Sequence, residues 1–456
     1  MSSIPVTETI SQFIVNSSFE DFPKEVVEAA KRSLLDWISV TLGGSKETVA
    51  RILVDHTEEM GGKEQATILG YGIKTNILNT AFVNGTMSHI LDYDDAHSET
   101  RNHTSAPLFP AVLAIAEYGE LGGRELLTAY IIGYDVSTRI GLALGKGYYE
   151  GGWHATSILG RFGAAVGTCK LLRLKTEQIM HALGLAATQT GGIRGAFGTM
   201  GKPFHAGKAS MDGLLSAKLA QRGFTGPNGI FEHDSEYIRL FSKEYEPGHI
   251  IKGLGQNYHI LNNSFKLYAA CLLLHPVIDG LISIKGEYNP SLEMIDGIEL
   301  EVAPLCLAVT NRPKVMNGFE AKFSLQFCSA VAIAKGRVGT REFAEELLKD
   351  ACITKLMQKV EVKTNASLKE TEANIMVRMS MGSNHSRHVS SPKGDPRNPL
   401  TFDDLLEKFR DLNHGSISED KIEDIRGILL NLENIPNISR LVDLSSVHEQ
   451  IEIKGK

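Results

Sequence analysis

The densest group of reactive side chains in this 456-residue sequence lies between positions 89 and 103. It combines imidazoles, carboxylates, a phenol and a guanidinium, which belong to His89, Asp92, Tyr93, Asp94, Asp95, His97, Glu99, Arg101 and His103. Burying so many polar groups in an apolar core costs several kcal/mol for each, so they face either water or a polar pocket. We predict a pocket in which protons are transferred, and the alternative is a helix end with solvated carboxylates.

Three later segments place further cations and imidazoles among glycines, which let backbone pass close to a ligand. They are GGWHATSILGRFG, GGIRGAFGTMGKPFHAGKAS and NNSFKLYAACLLLHPVIDG, and their candidates are His154, Arg194, Lys202, His205, Lys208, Lys266, Tyr268, Cys271 and His275. Positive charge beside proton donors suits a small polycarboxylate. Plainer roles are open too: a structural or capping histidine at His154, solvated side chains at Lys202 and Lys208, and a small hydrophobe at Cys271.

Metal and nucleotide chemistry receive less support from the spacing of these residues. The imidazoles and carboxylates of residues 89 to 103 are suitable ligand types for zinc, iron or manganese, so a metal-dependent hydrolase stays an alternative. No His-Glu-x-x-His spacing accompanies them, and we expect no metal. The segment GTMGKP lacks the spacing and the Ser/Thr of a phosphate loop, and GLGQNY lacks the third glycine of a dinucleotide fingerprint.

The composition is typical of a soluble globular protein, with 42% hydrophobic and 22% charged residues. A net charge of -7 argues against nucleic acid as a partner, because phosphate binding needs clustered Lys and Arg. Five widely spaced cysteines without a Cys-x-x-Cys pair are typical of a reducing compartment. We find neither a leader peptide nor a run of roughly 18 apolar residues, and we expect a cytoplasmic protein that does not enter a membrane.

Hydrophobic periodicity predicts helix after helix in the first half of the chain. The predicted helices cover residues 24–44, 48–60, 76–91, 106–118, 124–140, 157–172, 176–190 and 212–222. After about residue 266 a helix over 269–284 leads into three strands, GIELEVAP, KVEVKTN and NIMVRMSMG, with helices around 320–335 and 340–350 between them. A capping signature at Thr401 and Asp404 then starts further helices. The pattern predicts a mainly α protein.

Several segments resemble the MmgE/PrpD family in the same order along nearly the whole chain. They are SHILDYDDAHSETRNHTSAPLFPAVLAIAE, GWHATSILGRFGAA, GKPFHAGKASMDGLLSAKLAQRGFTGP, FKLYAACLLLHPVID, and the late GDPRNPLT with EKF. Members of this family include 2-methylcitrate dehydratase, cis-aconitate decarboxylase and iminodisuccinate epimerase. The resemblance implies a large helical domain built from residues 1–265 and 393–456, a smaller α+β lid domain over 266–392, and a homodimer without cofactor.

The resemblance also carries over functional residues. The pattern of cis-aconitate decarboxylases falls on Asp92, His103, His154, Lys202 and Lys266. Two positions depart from it, since Cys271 stands where those enzymes have a histidine and Phe327 where they have a tyrosine. Both changes remove a proton donor, which argues against decarboxylation of cis-aconitate.

The named reactions share one difficult step, the transient negative charge on a carbon next to a carboxylate. Fixed cations and a positioned acid–base pair lower that barrier without a cofactor. We assign Lys202 and Lys266 as the cations and His103 as the proton shuttle, oriented by Asp92 or Asp94, because the pKa of a histidine lies near neutrality. His154 would bind carboxylate or protonate the leaving group. Further predicted substrate contacts are Lys266, His97, Arg194, His205, Cys271 and His275.

The sequence thus predicts a cofactor-independent lyase for a small di- or tricarboxylate, with dehydration of a 2-methylcitrate-type hydroxy acid as the first expectation. The alternatives in the same scaffold are epimerisation of a dicarboxylate and decarboxylation of the cis-aconitate type. Two further alternatives are the metal-dependent hydrolase and a catalytically silent binding protein. The expected partners are a small anionic carboxylate and a second copy of the chain.

Overall fold

The computed structural model describes residues 5–382 and 384–446, in which helices predominate and the mainly α prediction is confirmed. The α-helices are α1 Val6–Asn16, α2 Lys24–Gly44, α3 Thr48–Met60, α4 Ile77–Ile90, α5 Ser105–Tyr118, α6 Gly123–Leu144, α7 Gly147–Glu150, α8 Ala155–Leu171, α9 Thr176–Thr188, α10 Gly201–Gln221, α11 Glu236–Phe241, α12 Gly248–Ile251, α13 His275–Tyr288, α14 Pro304–Thr310, α15 Gly318–Ala321, α16 Leu325–Lys335, α17 Glu345–Leu348, α18 Ala351–Met357, α19 Phe402–Asn413, α20 Glu419–Leu430 and α21 Ser439–Leu444. The strands are β1 Ala66–Ile68, β2 Ile73–Thr75, β3 Ala96–His97, β4 Asn263–Ser264, β5 Ile295–Val302, β6 Val360–Thr364, β7 Ala373–Met379 and β8 Asn384–Val389. In this part of the chain no helix has both the length and the apolar composition needed to cross a bilayer.

The larger core is formed by helices from both ends of the chain. Helices α2, α5, α6 and α8 surround Trp37, Phe109 and Tyr130, which are all fully buried. Helix α5 is buried along almost its whole length because its sequence is apolar on every face. Leu405 and Phe409 of α19 belong to the same core. The capping box that Thr401 and Asp404 form at the start of α19 is present as predicted.

A four-stranded sheet forms the centre of the smaller part, in the order β6-β5-β7-β8. The predicted strands β5 and β6 pair in parallel, and the connection between them contains helices, as the sequence indicated. Strand β7 runs antiparallel to β5 and continues directly into β8, so no helix separates this last pair. We did not predict β8, because its sequence NHSRHV lacks the apolar alternation of a half-buried strand.

Helix α10 begins at Gly201, well before the helix predicted from residue 212. Its first half is part of the glycine-rich segment GGIRGAFGTMGKPFHAGKAS, in which we predicted no helix. The glycines instead allow close packing of helices, since a Cβ on Gly207 would lie 2.2 Å from the carbonyl oxygen of Phe82 in α4. Gly85 of α4 faces the same contact, where its Cβ would lie 2.9 Å from the Cα of Gly207. Lys202, in the first turn of α10, is thereby carried to the end of α4.

We expect the Gly207→Ala variant to lose about 1–3 kcal/mol of stability, because the added methyl group overlaps backbone that cannot move without separating α4 from α10. Chemical denaturation monitored by circular dichroism measures the loss. Gly427→Ala in α20 is the matched control, since nothing lies within 4 Å of its added Cβ and alanine favours helix. Equal stability of the two variants would contradict the close contact described here.

Candidate active site

The turn that follows α4 places Asp92 between two lysines from distant parts of the chain. Asp92 Oδ1 accepts hydrogen bonds from Lys202 Nζ at 2.7 Å and from Lys266 Nζ at 2.8 Å. Lys266 Nζ also donates to the backbone oxygen of Asp92 at 2.8 Å. Asp92 has a φ of 53°, the left-handed region that non-glycine residues seldom adopt, so the surrounding contacts hold a strained backbone.

The charges of this cluster are stabilised mutually. Burial disfavours the carboxylate of Asp92, but Lys202 and Lys266 outweigh that effect and hold its pKa far below the usual range. Burial likewise disfavours the ammonium of Lys266, yet Asp92 and Asp94 outweigh it and raise the pKa of the lysine. The two ammonium groups that share the Asp92 carboxylate are donors that this cluster offers to an anionic ligand.

Two histidines converge on one oxygen of Asp94. His89 Nδ1 lies 2.8 Å from Asp94 Oδ2 in a hydrogen bond, and His103 Nδ1 lies 3.1 Å from the same atom. Burial lowers the pKa of His89 to about 3 and lowers that of His103, although Asp94 opposes both effects. Both rings are therefore neutral in the free protein at neutral pH. Asp94 is thus in contact with both imidazoles.

His154 stands immediately before α8, with its ring 5.8 Å from the ring of His89. Its Nδ1 is 3.1 Å from Nδ1 of His205, so one of these two nitrogens carries the proton and the other accepts it. Burial, with His89 and Lys202, keeps the pKa of His154 well below its ordinary value. His205 supports His154 from the first half of α10.

These groups line a cavity with about 840 Å³ of empty volume, including its opening to solvent. The cavity lies between the helical body and the part of the chain that contains the sheet. The body contributes Asp92, Ala96, Ser98, Arg101, His103, Tyr149, His154, Phe197, Lys202, Ser264 and Lys266. The other wall is formed by Cys271, Leu272, Leu273, His275, Phe323, Glu370, Thr371, Pro392, Lys393 and Asp395.

Comparison with known families decides what kind of protein has this cavity. The model of the MmgE/PrpD N-terminal domain matches residues 8–249, and that of the MmgE/PrpD C-terminal domain matches residues 268–434. The chain belongs to the MmgE/PrpD family. The family predicted from the sequence motifs is thus confirmed.

Several curated relatives of this MmgE/PrpD protein align along almost its full length. Cis-aconitate decarboxylase of Aspergillus terreus is 26% identical over 468 residues, which cover 96% of this chain and 95% of the relative. A cis-aconitate decarboxylase-like protein of Aspergillus oryzae is 26% identical, with 97% of each chain covered. Cis-aconitate decarboxylase of Homo sapiens is 25% identical over 456 residues, covering 96% of this chain and 94% of its own.

The structure brings most of the residues predicted for the MmgE/PrpD site together. The predicted residues in the cavity wall are Asp92, His103, His154, Lys202, Lys266, Cys271 and His275. Asp94 lies directly behind His103. Burial lowers the pKa of His275 to about 3 and raises that of the Cys271 thiol to about 11, so both are neutral donors or acceptors.

Three residues predicted as substrate contacts do not line the cavity, and their expected roles are corrected. His97 is not among the residues that line the cavity, and its Nδ1 lies 3.1 Å from Thr100 Oγ1. Its neighbour His259 is half-buried, with its ring centroid 6.1 Å from that of His97. Arg194 lies over the ring of Tyr149 at 4.5 Å, and His205 lies behind His154. Arg194 and His205 thus support lining residues.

Sequence reasoning missed several residues of the cavity and its surroundings. The rings of Phe197 and Phe323 line it 5.5 Å apart, and Lys202 Nζ lies 5.6 and 5.4 Å from their centroids. Behind them Lys322 is buried and donates to the Leu91 oxygen at 2.8 Å. Burial lowers the pKa of Lys322 to about 8. Aromatic residues are common in any core, and a single lysine before a helix gives no signal, so spacing alone could not select them.

Among the residues described, His89, Asp94 and His103 form one group of donors that could hold a metal ion, with ligand atoms within 4.8 Å of one another. The donor types suit zinc. The separation of 2.8 Å between His89 Nδ1 and Asp94 Oδ2 is that of a hydrogen bond. Two ligands on a tetrahedral zinc lie about 3.4 Å apart, given bonds of about 2.1 Å. The geometry fits a hydrogen-bonded histidine pair better than a metal centre.

The two departures from the decarboxylase pattern are not equivalent in the structure. Cys271 lines the cavity, so the exchange of a histidine for a thiol alters the site itself. Phe327 is fully buried in α16, where its ring centroid lies 5.8 Å from that of Phe343, and it does not line the cavity. The phenylalanine therefore removes no proton donor from the cavity wall of this protein.

Proposed function

We propose that this protein is a cofactor-independent carboxy-lyase that decarboxylates a small unsaturated tricarboxylate of the cis-aconitate type. The observation that carries the proposal is the meeting of Asp92, Lys202, Lys266, His103 and His154 in one cavity. The relatives named above act as support, because their names favour decarboxylation over the dehydration that we expected first. The broader proposal, a lyase of the MmgE/PrpD type, is supported also by the two family models that match the chain.

The proposed reaction needs a place where a carboxylate loses its hydration and another where negative charge is stabilised. When the bond from the CH₂ carbon to its carboxylate breaks, CO₂ leaves and the electron pair forms a new double bond. The former double-bond pair then becomes a carbanion next to a second carboxylate, and this carbon takes up a proton. Phe197 and Phe323 offer an apolar wall for the leaving carboxylate, because neutral CO₂ needs no hydration.

The lysines stabilise negative charge, and the histidines deliver the proton and bind a carboxylate. In the proposed reaction Lys202 and Lys266 stabilise the enolate-like charge on the retained carboxylate. Asp92 holds both ammonium groups in place. His103 delivers the proton to the carbanion, oriented through Asp94. His154 donates a hydrogen bond to a carboxylate, with His205 behind it.

Protonation of His103 depends on the ligand. Burial lowers the pKa of the His103 imidazole in the free protein. Asp94 raises this pKa, whereas Lys266 and Lys202 lower it. A bound trianion adds negative charge beside the ring and raises its pKa again. Substrate and proton therefore bind together, which supplies an acid at the moment when the reaction needs one.

This coupling predicts two different pH profiles. A required acid makes the rate fall as pH rises through its pKa, and kcat/KM reports the free protein whereas kcat reports the complex. The ordinary pKa of a histidine is 6.5, and burial lowers that of His103, so we expect kcat/KM to fall with a midpoint below pH 6.5 and kcat to fall at a higher pH. Steady-state kinetics across pH 5 to 8 measure both, with the ionisation of the substrate titrated separately. A kcat profile that falls at lower pH than the kcat/KM profile would contradict the assignment of His103 as acid.

Dehydration of a 2-methylcitrate-type hydroxy acid is the second candidate, and Cys271 is the observation that favours it. With its pKa raised to about 11, this thiol is a weaker proton donor than the histidine of the decarboxylases. A reaction that expels hydroxide from a hydroxy acid uses donors near the leaving oxygen, and His154 satisfies that need without residue 271.

One experiment tests both candidates. Purified protein is incubated in D₂O with cis-aconitate, 2-methylcitrate, citrate or iminodisuccinate, and each mixture is followed by NMR. Loss of CO₂ with one deuterium in the new methylene group supports the proposal, whereas loss of water from a hydroxy acid favours the second candidate. Deuterium exchange without net product indicates epimerisation. Absence of conversion of all four acids would refute the proposed function.

The homodimer and the cytoplasmic location stay predictions. Sedimentation velocity of the full chain tests the former, because a dimer of this 49.8 kDa chain sediments as a particle of twice that mass.

A further inference from the structure

Arg101 is a cation of the cavity wall for which the mechanism has no use. It lies two residues before His103, on a loop held at both sides. The His97 nitrogen donates to the Asn102 oxygen at 2.9 Å, and the Tyr148 hydroxyl donates to the Thr100 oxygen at 2.8 Å. Arg101 itself has a φ of 55°, a left-handed conformation that is unfavourable for a long side chain. The contacts of this loop thus hold the Arg101 backbone in a strained conformation, and its side chain lines the cavity.

The guanidinium of Arg101 is held without being fully satisfied. Its Nη2 donates to Glu370 Oε1 at 2.5 Å, and its Cζ lies 4.8 Å from the centroid of the Tyr149 ring. Arg194 stacks on the same ring, so Tyr149 fixes two cations beside the cavity. Within the part of the chain that the structure describes, the buried Nε of Arg101 has no hydrogen-bond partner. An unused donor in a cavity wall points to a ligand.

Glu370 is suited to leave this pair when an anion arrives. It belongs to the turn between β6 and β7, and its side chain is 32% exposed, whereas that of Arg101 is 14% exposed. The carboxylate can therefore turn to water at little cost, while the guanidinium remains in place. A carboxylate of a bound acid has the same chemistry as that of Glu370 and replaces it without loss of charge balance.

The geometry points to Arg101 as the binding group for a terminal carboxylate of the substrate, at a place that Glu370 occupies in the free protein. The inference rests on the proposed function and deepens it, because it assigns the class of acid: a tricarboxylate is preferred to a dicarboxylate. Lys202 and Lys266 hold the acid beside His103, and Arg101 holds its far end. The planar guanidinium offers two parallel donors to that carboxylate.

Binding of two inert acids to the full-length protein tests the inference without requiring turnover. Tricarballylate has three carboxylates, and methylsuccinate is the same acid with one terminal carboxymethyl group replaced by methyl. By isothermal titration calorimetry, we expect Arg101→Gln to weaken tricarballylate binding about tenfold or more, since a charge-assisted contact is lost. The affinity for methylsuccinate should change by less than about twofold, because that acid does not reach Arg101.

The Glu370→Gln variant tests whether Glu370 competes with the ligand for Arg101 or only connects the two walls of the cavity. If Glu370 competes with the ligand, its removal strengthens tricarballylate binding severalfold and leaves methylsuccinate unchanged. Weaker binding of both acids would overturn the inference and leave the Arg101–Glu370 pair as a structural contact only. Glu361→Gln is the control, since this carboxylate is exposed on β6 and does not line the cavity.

Failure of this inference is distinguishable from failure of the proposed function. Decarboxylation by the wild type with unchanged tricarballylate binding in the Arg101→Gln variant refutes only the role of Arg101. Binding of tricarballylate that depends on Arg101, in a protein that converts none of the four acids, supports the role of Arg101 and refutes the proposed reaction.

Discussion

We expect replacement of His103 by alanine to reduce kcat by a factor of about 10²–10⁴, the usual contribution of a positioned acid or base. His89 cannot take over the role, because its Nδ1 is bound to Asp94 and the residue is almost fully buried. His154 shares its Nδ1 contact with His205. The NMR assay measures the loss, and calorimetry with tricarballylate should show an affinity within a few-fold of the wild type.

Two controls accompany the His103 variant. His414→Ala removes an exposed histidine and should leave kcat unchanged. Circular dichroism establishes whether the His103→Ala protein is folded. Full turnover by the His103→Ala variant would refute the assignment of this residue as the proton donor.

The second large effect concerns Asp92, whose replacement by asparagine leaves two buried ammonium groups without their shared carboxylate. Removal of one partner from a buried ion pair costs about 3–5 kcal/mol, because the remaining charge is neither solvated nor compensated. We expect Asp92→Asn to lose stability of this order in chemical denaturation. Activity should fall with it, since Lys202 and Lys266 lose the carboxylate that holds both ammonium groups in place.

A double variant distinguishes charge from packing at Asp92. The Asp92→Asn/Lys266→Met variant also removes one of the unpaired ammonium groups. It should lose less stability than the sum of the losses in the two single variants, because the two residues interact directly. Additive losses would contradict the electrostatic explanation. Asp424→Asn serves as the control, since this carboxylate is 53% exposed and its pair with Arg440 contributes little.

Much of the active site followed from the sequence because its residues are chemically unusual for their surroundings. Imidazoles and lysines beside glycines, as at His154 and Lys202, are rare in protein cores and therefore conspicuous in the sequence. By contrast, Phe197 and Phe323 have the composition of ordinary core residues, and Glu370 lies on an exposed turn. Their place in the cavity results from contacts between segments far apart in sequence.

The starts of α19 and α10 show the same difference between features that local sequence determines and features that tertiary contacts determine. Thr401 and Asp404 determine the start of α19 locally, because a capping box needs only neighbouring residues. The start of α10 at Gly201 could not be predicted in this way, since glycine has low helix propensity and is stabilised there by packing. The close approach to α4 overrides the local preference.

The sequence by itself determined the mainly helical fold, the family and the chemical types present in the site, because periodicity, caps and motifs are properties of short segments. Only the tertiary structure decided that Lys202 and Lys266, 110 and 174 positions from Asp92, share one of its oxygens. The physical reason is that such a contact depends on how closely helices pack, here through Gly207 against α4, and a spacing between residues carries no record of that distance.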